Sequence, residues 1–505
     1  MQQLNIADLF YQQAKANPGK TAIIDGSSSV TFARLKEDIE CTAQYLIDQG
    51  IKKGDAVMIF VPMSIDLYRT VLAIFRIGAI AVFLDEWVSI RRLKACCTLV
   101  PCKAMIGNWK ARVLGWLLSP IRKIPIHLSP IHPAIPGHHP YEATSPGDTA
   151  LITFTTGSTG VPKAANRTHG FLKEQFIALE EKLRPHPGET DMPVLPIVLL
   201  INLATGNTSV IAPFKSSKPE KMKPGKIFEL LVKHSVNRII SSPYFIKRLA
   251  RYQEQHRIPV PDLHRIFTGG APVFPSEAGS YLRALPDVDI EIVYGSTEAE
   301  PISGIKAQDL AKTDPCDGLD VGFPFYKARV KIINITDEPI QCDSEEELAV
   351  LETPGIGEII VSGPHVLASY INNEAAIRRN KIFVRDVCWH RTGDSGYIKD
   401  GRLYLTGRCS TLIAYENEII APFTYEAILA ELKGVEMGTV MRWEDRLLVV
   451  VEKDMNETEE AIRKSVKGIV VFPHSLLFIK KIPKDPRHHS KIDYERLKQI
   501  VSRKM

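Results

Sequence analysis

The chain has 505 residues and a formal net charge of +5, and hydrophobic and charged residues make up 45% and 24% of it. A chain of this length can bury several cores, and its composition is ordinary for a soluble globular protein. The mild charge excludes a dense basic surface, so nucleic acid is not predicted as a partner.

The N-terminal sequence and the cysteine content both bear on where in the cell the protein is located. The N-terminus, Met1-Gln2-Gln3-Leu4-Asn5, has no basic region followed by an apolar one, so no signal peptide is predicted. The eight cysteines are too sparse for a secreted disulfide scaffold, and no paired ligands at zinc spacing accompany them. We expect reduced thiols and a cytoplasmic protein.

Strand-like apolar runs alternate with amphipathic helical stretches, which predicts an α/β fold, a large multi-lobed domain of layered sheets and helices. A strand over residues 56–61 is followed by a helix over 64–77. Residues 112–118, with Trp116, fit either a core helix or a segment that touches a membrane surface. The Pro- and His-rich residues 124–140 are predicted to form a surface connection.

The uncharged stretch 192–213 is long enough to span a membrane, but prolines, asparagines and a glycine interrupt it. We therefore predict buried strands and turns there, and no transmembrane segment. A strand at 239–240 is expected to lead into a helix over 244–255.

A second unit is predicted to begin after Arg408, which gives domains 1–408 and 409–505. Before this boundary, residues 396–398 and 402–405 predict a β-hairpin. After it the order becomes helix over 424–432, strand over 447–452 and helix over 457–467.

The loop after the apolar strand 150–154 is the most informative motif. It consists of Thr155, Thr156, Gly157, Ser158, Thr159, Gly160, Val161, Pro162 and Lys163. Its glycines allow close backbone approach, its hydroxyls donate hydrogen bonds, and its lysine adds a positive charge, so the loop suits phosphate oxygens. The spacing is not that of a Walker A loop.

This loop and further motifs in the same order resemble the ANL superfamily of adenylate-forming enzymes, which includes acyl-CoA synthetases, peptide-synthetase adenylation domains and luciferases. The other motifs are Tyr294-Gly295-Ser296-Thr297-Glu298, Gly357-Glu358-Ile359 with Tyr370, Arg391-Thr392-Gly393-Asp394-Ser395-Gly396-Tyr397, Gly407-Arg408, and Lys491 near the C-terminus. The resemblance implies AMP-forming ligase activity with ATP and Mg²⁺, and a small mobile α+β C-terminal lid that rotates over the large domain.

The resemblance also implies a role for each site residue. The loop from Thr155 to Lys163 would hold the β- and γ-phosphates, Glu298 would bind Mg²⁺ through hard carboxylate oxygen, and Thr297 would contact the α-phosphate. Tyr294, with Gly295 after it, would offer a flat face to adenine. On the other side of the ring, the backbone would approach through Gly269, Gly270 and Ala271.

The resemblance also implies roles for three more charged residues, Asp394, Arg408 and Lys491. Asp394 would accept hydrogen bonds from both ribose hydroxyls, and Arg408 would assist at the ribose or phosphate and mark the hinge. Lys491, carried on the lid, would stabilise the charge that develops during adenylation only when the lid is shut.

The substrate and the second reaction step are less clearly marked. The apolar stretch Leu195–Leu203 is expected to line part of an acyl pocket, which favours a fatty acid over an amino acid. The segment 409–418 departs from the family pattern around Thr411 and Asn417, where CoA ligases shape the pantetheine tunnel, so the use of CoA is uncertain. Several segments around residues 191–208, 270–273 and 294–302 look like the olefin β-lactone synthetases.

The sequence leaves several functions open. Adenylation of a long 2-alkyl-3-hydroxy acid followed by β-lactone closure is the first, and a fatty acyl-CoA ligase or a fatty acid–AMP ligase that loads an acyl carrier protein is the alternative. The partners would be a small carboxylic acid, and possible pathway enzymes or a carrier. A non-catalytic member that only binds nucleotide or acyl ligands is disfavoured, because the charged site residues are all retained.

Overall fold

Helices and strands alternate along the chain in the computed structural model, which describes residues 3–84, 90–132, 142–156, 162–215, 218–348, 350–351, 355–416, 418–454, 457–484 and 492–505. The helices are α1 (Asp8–Ala16), α2 (Phe32–Asp48), α3 (Ile65–Arg76), α4 (Ile90–Leu99), α5 (Trp109–Leu117), α6 (Ser119–Arg122), α7 (His169–Leu183), α8 (Pro196–Thr205), α9 (Pro224–Lys233), α10 (Pro243–His256), α11 (Pro275–Ala284), α12 (Ala307–Leu310), α13 (Glu374–Asn380), α14 (Pro422–Ala430), α15 (Glu459–Ile469) and α16 (Tyr494–Val501).

The strands are β1 (Thr21–Asp25), β2 (Ser28–Thr31), β3 (Ala56–Phe60), β4 (Ile80–Phe83), β5 (Ala104–Gly107), β6 (Ile126–Leu128), β7 (Thr149–Thr156), β8 (Pro162–Thr168), β9 (Thr190–Pro193), β10 (Thr208–Val210), β11 (Arg238–Ser241), β12 (Arg265–Gly269), β13 (Asp289–Ser296), β14 (Ala299–Lys306), β15 (Leu319–Asp320), β16 (Phe323–Pro324), β17 (Arg329–Ile333), β18 (Gly357–Ser362), β19 (Lys381–Val384), β20 (Val387–Lys399), β21 (Arg402–Arg408), β22 (Ile413–Tyr415), β23 (Glu418–Ile420), β24 (Val435–Trp443), β25 (Arg446–Lys453) and β26 (His474–Ile479).

Three larger sheets build the part of the chain before residue 409. In the described residues their strand orders are β16-β14-β13-β12-β11-β9-β10-β1-β2, β6-β5-β3-β4-β7-β8, and β15-β21-β20-β18-β17 with β19 beside β20. The first two have parallel centres, with helices connecting their strands, whereas the third is antiparallel. The antiparallel pairs β7–β8, β13–β14 and β20–β21 carry most of the predicted site residues.

The chain after residue 421 forms a small α+β unit with its own cores. Its sheet has the order β24-β25-β26. One face packs with α15 through Ile462 and Val466, and the other face packs with α16 through Leu497 and Val501. The fold class is therefore the predicted one, a large multi-lobed α/β part followed by a smaller α+β part.

Most of the predicted elements are confirmed within a few residues. The strand and helix over 56–77 are β3 and α3, those over 239–255 are β11 and α10, and the hairpin before Arg408 is β20–β21. The helix, strand and helix that follow are α14, β25 and α15. Helices α3, α10 and α15 were predictable from their helical apolar spacing, and β3 and β25 from short continuous apolar runs.

The prediction of buried strands and turns over 192–213 is wrong for its centre, which is helix α8. Pro196 stands in the first helical turn, where a missing N–H costs nothing, and Gly206 ends the helix in the left-handed region at φ 74°. The proline and glycine therefore bound a buried helix instead of breaking it. Across the described ranges, no helix is both long and apolar enough to cross a membrane.

The prediction of a surface connection over 124–140 needs correction. Part of the expected surface connection is strand β6, which pairs in parallel with β5, and residues 133–140 lie outside the described residues. The helix predicted over 112–118 corresponds to α5, and one side of this helix is exposed. Its residues Val113 and Leu117 are 54% and 67% exposed.

A buried carboxyl group in the small C-terminal unit makes its stability depend on pH. Burial raises the pKa of Glu426 from 4.5 to about 7, although the hydroxyls of Tyr494 and Thr439 donate to it and oppose the shift. Because the folded state favours the protonated form, the stabilising contribution is complete below pH 4.5 and is lost as pH rises through about 7.

We expect Glu426→Gln to remove this dependence. Unfolding of the full chain monitored at pH 5 and pH 8 should show the native unit losing up to about 3 kcal/mol more stability over this range than the variant. Gln keeps an acceptor for Tyr494 and cannot ionise. An identical pH dependence in the two proteins would contradict the assignment.

Candidate active site

Glu298 is the centre of the first cluster of predicted residues. It lies in the turn between β13 and β14, and it is 6% exposed. Its Oε1 accepts hydrogen bonds from the hydroxyls of Thr155 at 3.2 Å and Tyr370 at 3.1 Å. The ammonium of Lys163 lies 3.8 Å from the same oxygen. Residues far apart in sequence thus surround one carboxylate.

Backbone contacts explain how these residues meet. Thr155 and Lys163 face each other across the β7–β8 pair. The segment that carries Tyr370 runs beside β8, where Ile371 N–H donates to the Ala164 carbonyl at 2.9 Å. Leu367 N–H donates to the carbonyl of Glu298 itself at 2.7 Å. The positions are fixed by main-chain pairing and do not depend on side-chain freedom.

The carboxylate of Glu298 is ionised in spite of its burial. Burial alone would raise its pKa, but His390, Lys163, Lys381 and the Tyr370 hydroxyl lower the pKa to about 2. Burial also takes the pKa of His390 well below 6.5, so this imidazole is neutral at pH 7. The charges that hold Glu298 ionised at neutral pH are therefore the two lysines.

The geometry of Glu298 fits a hard divalent cation. Among the described residues, the hydrogen-bond donors contact Oε1 and none contacts Oε2. The described residues hold no cluster of three or more metal-ligating side chains. Mg²⁺ is commonly bound by one or two carboxylates together with substrate phosphates and waters, and one buried ionised carboxylate matches that pattern.

Two lysines, Lys163 and Lys381, add positive charge to this cluster. Lys163 donates to Oδ1 of Asn380 at 3.2 Å, and burial lowers its pKa, although Glu298 acts against that shift. Lys381 is 2% exposed, donates to the carbonyl of Leu367, and has its pKa lowered by burial to about 8. Its ammonium lies 5.5 Å from the centre of the Tyr370 ring. These cations make the region attractive to phosphate.

Tyr294, Asp394 and Arg408 form the second cluster. The Tyr294 hydroxyl donates to Oδ2 of Asp394 at 2.8 Å, and Nε of Arg408 lies 3.1 Å from Oδ1. Burial and the neighbouring carboxylate raise the pKa of Tyr294 well above 10, so its hydroxyl stays protonated. Asp394 and Arg408 are cross-strand partners in the β20–β21 pair.

A buried ion pair supports the loop that carries Asp394. Glu358 accepts hydrogen bonds from Nε and Nη2 of Arg391 at 2.9 and 2.6 Å, and both side chains are almost fully buried. Glu358 also accepts from the N–H of Gly393 at 3.2 Å. Gly393 has φ 70°, a conformation that favours glycine. The motif residues around Asp394 thus act by fixing its position.

Glycines bring the backbone close to the Tyr294 strand. Gly269 ends β12 and lies opposite Val293 of β13, where an added Cβ would be 2.4 Å from the Val293 carbonyl oxygen. Gly270 follows with φ 84°, and Ala271 comes next. Gly295 is also tightly placed, since a Cβ would meet the Ala299 carbonyl oxygen at 3.0 Å. The four residues therefore lie along the same sheet edge as Tyr294.

Of the remaining predicted residues, Thr297 and Thr156 have described backbone contacts, and the other five lie outside the described residues. The carbonyl of Thr297 accepts a hydrogen bond from Nη2 of Arg167 at 3.3 Å. The backbone of Thr156 pairs with Pro162 at the end of β7. Gly157, Ser158, Thr159, Gly160 and Lys491 lie outside the described residues, so their roles stay predictions.

Sequence reasoning did not assign four residues that contact the site, namely Arg167, Asn380, Lys381 and His390. None of them belongs to one of the motifs that the sequence marks. Tyr370 was part of a motif but had no assigned role, and the structure places its hydroxyl on Glu298. Only the tertiary pairing of β8, β19 and β20 brings these side chains to the carboxylate.

The two clusters offer cations suited to phosphate, a buried ionised carboxylate suited to Mg²⁺, and an aspartate that can accept hydrogen bonds. The chain belongs to the family of AMP-binding enzymes, whose family model matches residues 10–371. It is therefore an adenylate-forming, AMP-forming ligase of the ANL superfamily.

Curated relatives and solved structures agree with this membership. The chain is 29% identical to an olefin beta-lactone synthetase of Xanthomonas campestris, with 93% of this chain and 90% of the relative covered. It is 28% identical to an olefin beta-lactone synthetase of Stenotrophomonas maltophilia, with 95% and 93% covered. It is also 26% identical to a putative acyl-CoA ligase of Bacillus subtilis, with 92% and 91% covered.

Two solved structures illustrate the shared fold. The amide bond synthetase from Marinactinospora thermotolerans has a TM-score of 0.81 at 21% identity, with 98% of this chain and 99% of that chain covered. The O-succinylbenzoate coenzyme A synthetase from Bacillus subtilis, in complex with ATP and magnesium ion, has a TM-score of 0.79 at 21% identity, with 97% and 99% covered.

Proposed function

We propose that the protein uses ATP and Mg²⁺ to convert an apolar carboxylic acid into an acyl-adenylate with release of pyrophosphate. The observation that carries this proposal is the β13–β14 hairpin, which bears both Tyr294 and Glu298. It links the pair formed with Asp394 to the cationic cluster of Thr155 and Lys163. One nucleotide can then place its ribose at Asp394 and its phosphates near Lys163.

The residues would divide the work of the first step. Lys163 and the loop before it neutralise the phosphates, Glu298 would hold Mg²⁺, and Asp394 would bind the ribose. Bound Mg²⁺ withdraws charge from the phosphate oxygens and so stabilises the pyrophosphate that leaves. A carboxylate oxygen of the acid then bonds to the α-phosphorus as the bond from that phosphorus to pyrophosphate breaks.

The C-terminal unit, residues 409–505, is proposed as the lid for this step. Its sheet and cores are separate from those that precede Arg408. Lys491 would reach the reacting phosphate when the lid closes, and its charge would favour the transition state.

An apolar cluster beside the site supports a fatty acid. Leu195, Ile197, Val198 and Ile201 of the α8 region pack with Leu179 and Leu183 of α7, and with Ile240 and Phe267 of the central sheet. Val293, one residue before Tyr294, packs against the same cluster. A substrate chain that enters beside Tyr294 would therefore meet aliphatic side chains.

We propose β-lactone closure as the second step, on a long 2-alkyl-3-hydroxy acid. The 3-hydroxyl oxygen would attack the acyl carbon, the bond from that carbon to AMP would break, and the hydroxyl proton would leave to solvent. The names of two relatives favour this outcome. So does the segment after Arg408, whose sequence around Thr411 and Asn417 departs from the pattern of CoA ligases.

Transfer to CoA is the alternative, and the acyl-CoA ligase among the relatives favours it. Product analysis separates the two. With Mg-ATP and a long 2-alkyl-3-hydroxy acid, we expect AMP and a β-lactone, at a rate that CoA does not change. A CoA thioester from simple fatty acids, with no lactone, would overturn lactone closure.

The same assay on Lys491→Ala tests the lid. This variant should slow formation of the acyl-adenylate by about 10²-fold or more while a supplied acyl-adenylate is still converted. Lys481→Ala, which removes an exposed lysine of the same unit, is the matched control.

A further inference from the structure

The layer formed by α4, α5 and α6 has a charge distribution unlike the rest of the chain. The fifty-five residues from 87 to 141 include eight Lys or Arg and no Asp or Glu. They carry +8 against +5 for the whole chain, so the remainder carries −3. Five of these cations have exposed side chains, namely Arg91, Lys94, Arg112, Arg122 and Lys123.

Large apolar side chains are exposed on the same layer. Trp109, Val113 and Leu117 are 64%, 54% and 67% exposed. They stand four residues apart and therefore follow one face of α5, which we call the α5 face. Ile90 at the start of α4 and Ile131 after β6 are also exposed, at 64% and 76%. These five are a large share of the exposed apolar side chains in the described residues.

The opposite side of α5 is the one buried in the protein. A Cβ added to Gly107 of β5 would lie 2.9 Å from Cβ of Ala111, and a Cβ added to Gly115 would lie 2.9 Å from Cγ2 of Ile121. Helix α6 packs against both α4 and α5. Ala111 and Gly115 thus lie on the packed side of α5, and Trp109, Val113 and Leu117 lie on its exposed side. On an ordinary surface helix, large apolar residues face inward.

We propose that the α5 face and its surrounding cations dock this protein on the surface of an anionic lipid bilayer. Tryptophan and aliphatic side chains on one helix face suit shallow insertion among acyl chains and headgroups. The exposed Lys and Arg side chains on the same layer complement negatively charged headgroups. The proposed attachment is peripheral, through one helix face and the cations around it.

Co-sedimentation of the full chain with vesicles tests this directly. Vesicles of phosphatidylcholine with phosphatidylglycerol should bind the protein, vesicles of phosphatidylcholine alone should bind it at least about tenfold less, and added salt should release it. The charge variant Arg112→Glu/Arg122→Glu/Lys123→Glu and the apolar variant Val113→Asn/Leu117→Asn should each weaken binding about tenfold or more.

Matched controls place the same substitutions on other surfaces. Lys218→Glu/Lys221→Glu/Lys233→Glu changes three exposed lysines, and Val232→Asn/Val471→Asn changes two exposed valines. Both controls should bind within about twofold of the native protein. The circular dichroism spectrum should be unchanged in all four variants. The rate of pyrophosphate release from ATP, with detergent-dispersed acid as the second substrate, should also be unchanged, because none of these residues lies in the proposed active site.

Three outcomes would overturn the proposal. The native protein could remain in the supernatant with anionic vesicles, which would also be the result if the α5 face docks a protein instead. It could bind equally to neutral and anionic vesicles. The variants on the α5 layer could bind as well as their controls. None of these outcomes bears on the adenylation chemistry, so the two proposals fail separately.

Discussion

Glu298→Gln should lower kcat/KM for pyrophosphate release by about 10²- to 10³-fold and raise the Mg²⁺ concentration needed for half-maximal rate. The substitution keeps an oxygen for Thr155 and Tyr370 but removes the negative charge. Lys163 and Lys381 then lie near the site without their counterion. The rate should be measured over a range of Mg²⁺ at saturating ATP.

Glu291→Gln is the control for this substitution. Glu291 lies on β13 of the same hairpin and pairs with Lys182 and Lys306, away from the predicted site residues. It should retain a rate within about threefold of the native protein, since its ion-pair partners are not among the residues proposed to bind ATP or Mg²⁺. A Glu298→Gln protein with a native Mg²⁺ dependence would remove Glu298 as the metal ligand.

Asp394→Ala should weaken ATP binding by about 10- to 100-fold and affect kcat less. A hydrogen bond to a charged group is worth roughly 1.5–3 kcal/mol, and the substitution removes the acceptor proposed for the ribose hydroxyls. It also leaves Tyr294 without its hydrogen-bond partner and Arg408 without its ion-pair partner. The KM for ATP, measured separately from kcat, gives the size of this effect.

Deoxynucleotides show whether the lost contact is the ribose contact. The native protein should discriminate against 2′-deoxy-ATP by about tenfold, whereas Asp394→Ala should discriminate hardly at all. Asp386→Ala, an exposed aspartate in the β19–β20 turn, should keep native discrimination. If Asp394→Ala still prefers ATP as strongly as the native protein does, Asp394 does not bind the ribose.

The sequence predicts those parts of the site that local motifs carry. Tyr294, Glu298, Asp394 and Arg408 stand in short motifs with glycines and turn residues. Three of them lie in paired strands, and Glu298 lies in the turn between β13 and β14. The type of reaction could be predicted before any tertiary contact was known, because these motifs resemble those of adenylate-forming enzymes.

The positions of Lys381 and His390 in the site could not be predicted, because tertiary packing decides which residues surround Glu298. Lys381 is an isolated lysine at the start of a strand, a position that is normally exposed. Only the packing of β19 against β20 and the 366–371 segment buries it beside Tyr370. His390 is buried on the same strand pair for the same reason.

Helices α8 and α5 show two limits of apolar pattern analysis. In α8, Pro196 and Gly206 resemble interruptions in the sequence, yet their positions at the two ends are those that a helix favours. In α5, an apolar stretch does not say which side faces the core. The close approach of Ala111 and Gly115 to their neighbours determines this, and Trp109, Val113 and Leu117 are left exposed.

The measurement to make first is acid-dependent pyrophosphate release with Mg-ATP in the absence of CoA, across fatty acids and long 2-alkyl-3-hydroxy acids. We expect release that requires an apolar acid, requires Mg²⁺ and forms AMP. No release with any of these acids, or ATP cleavage to ADP instead of AMP, would overturn the proposed adenylation.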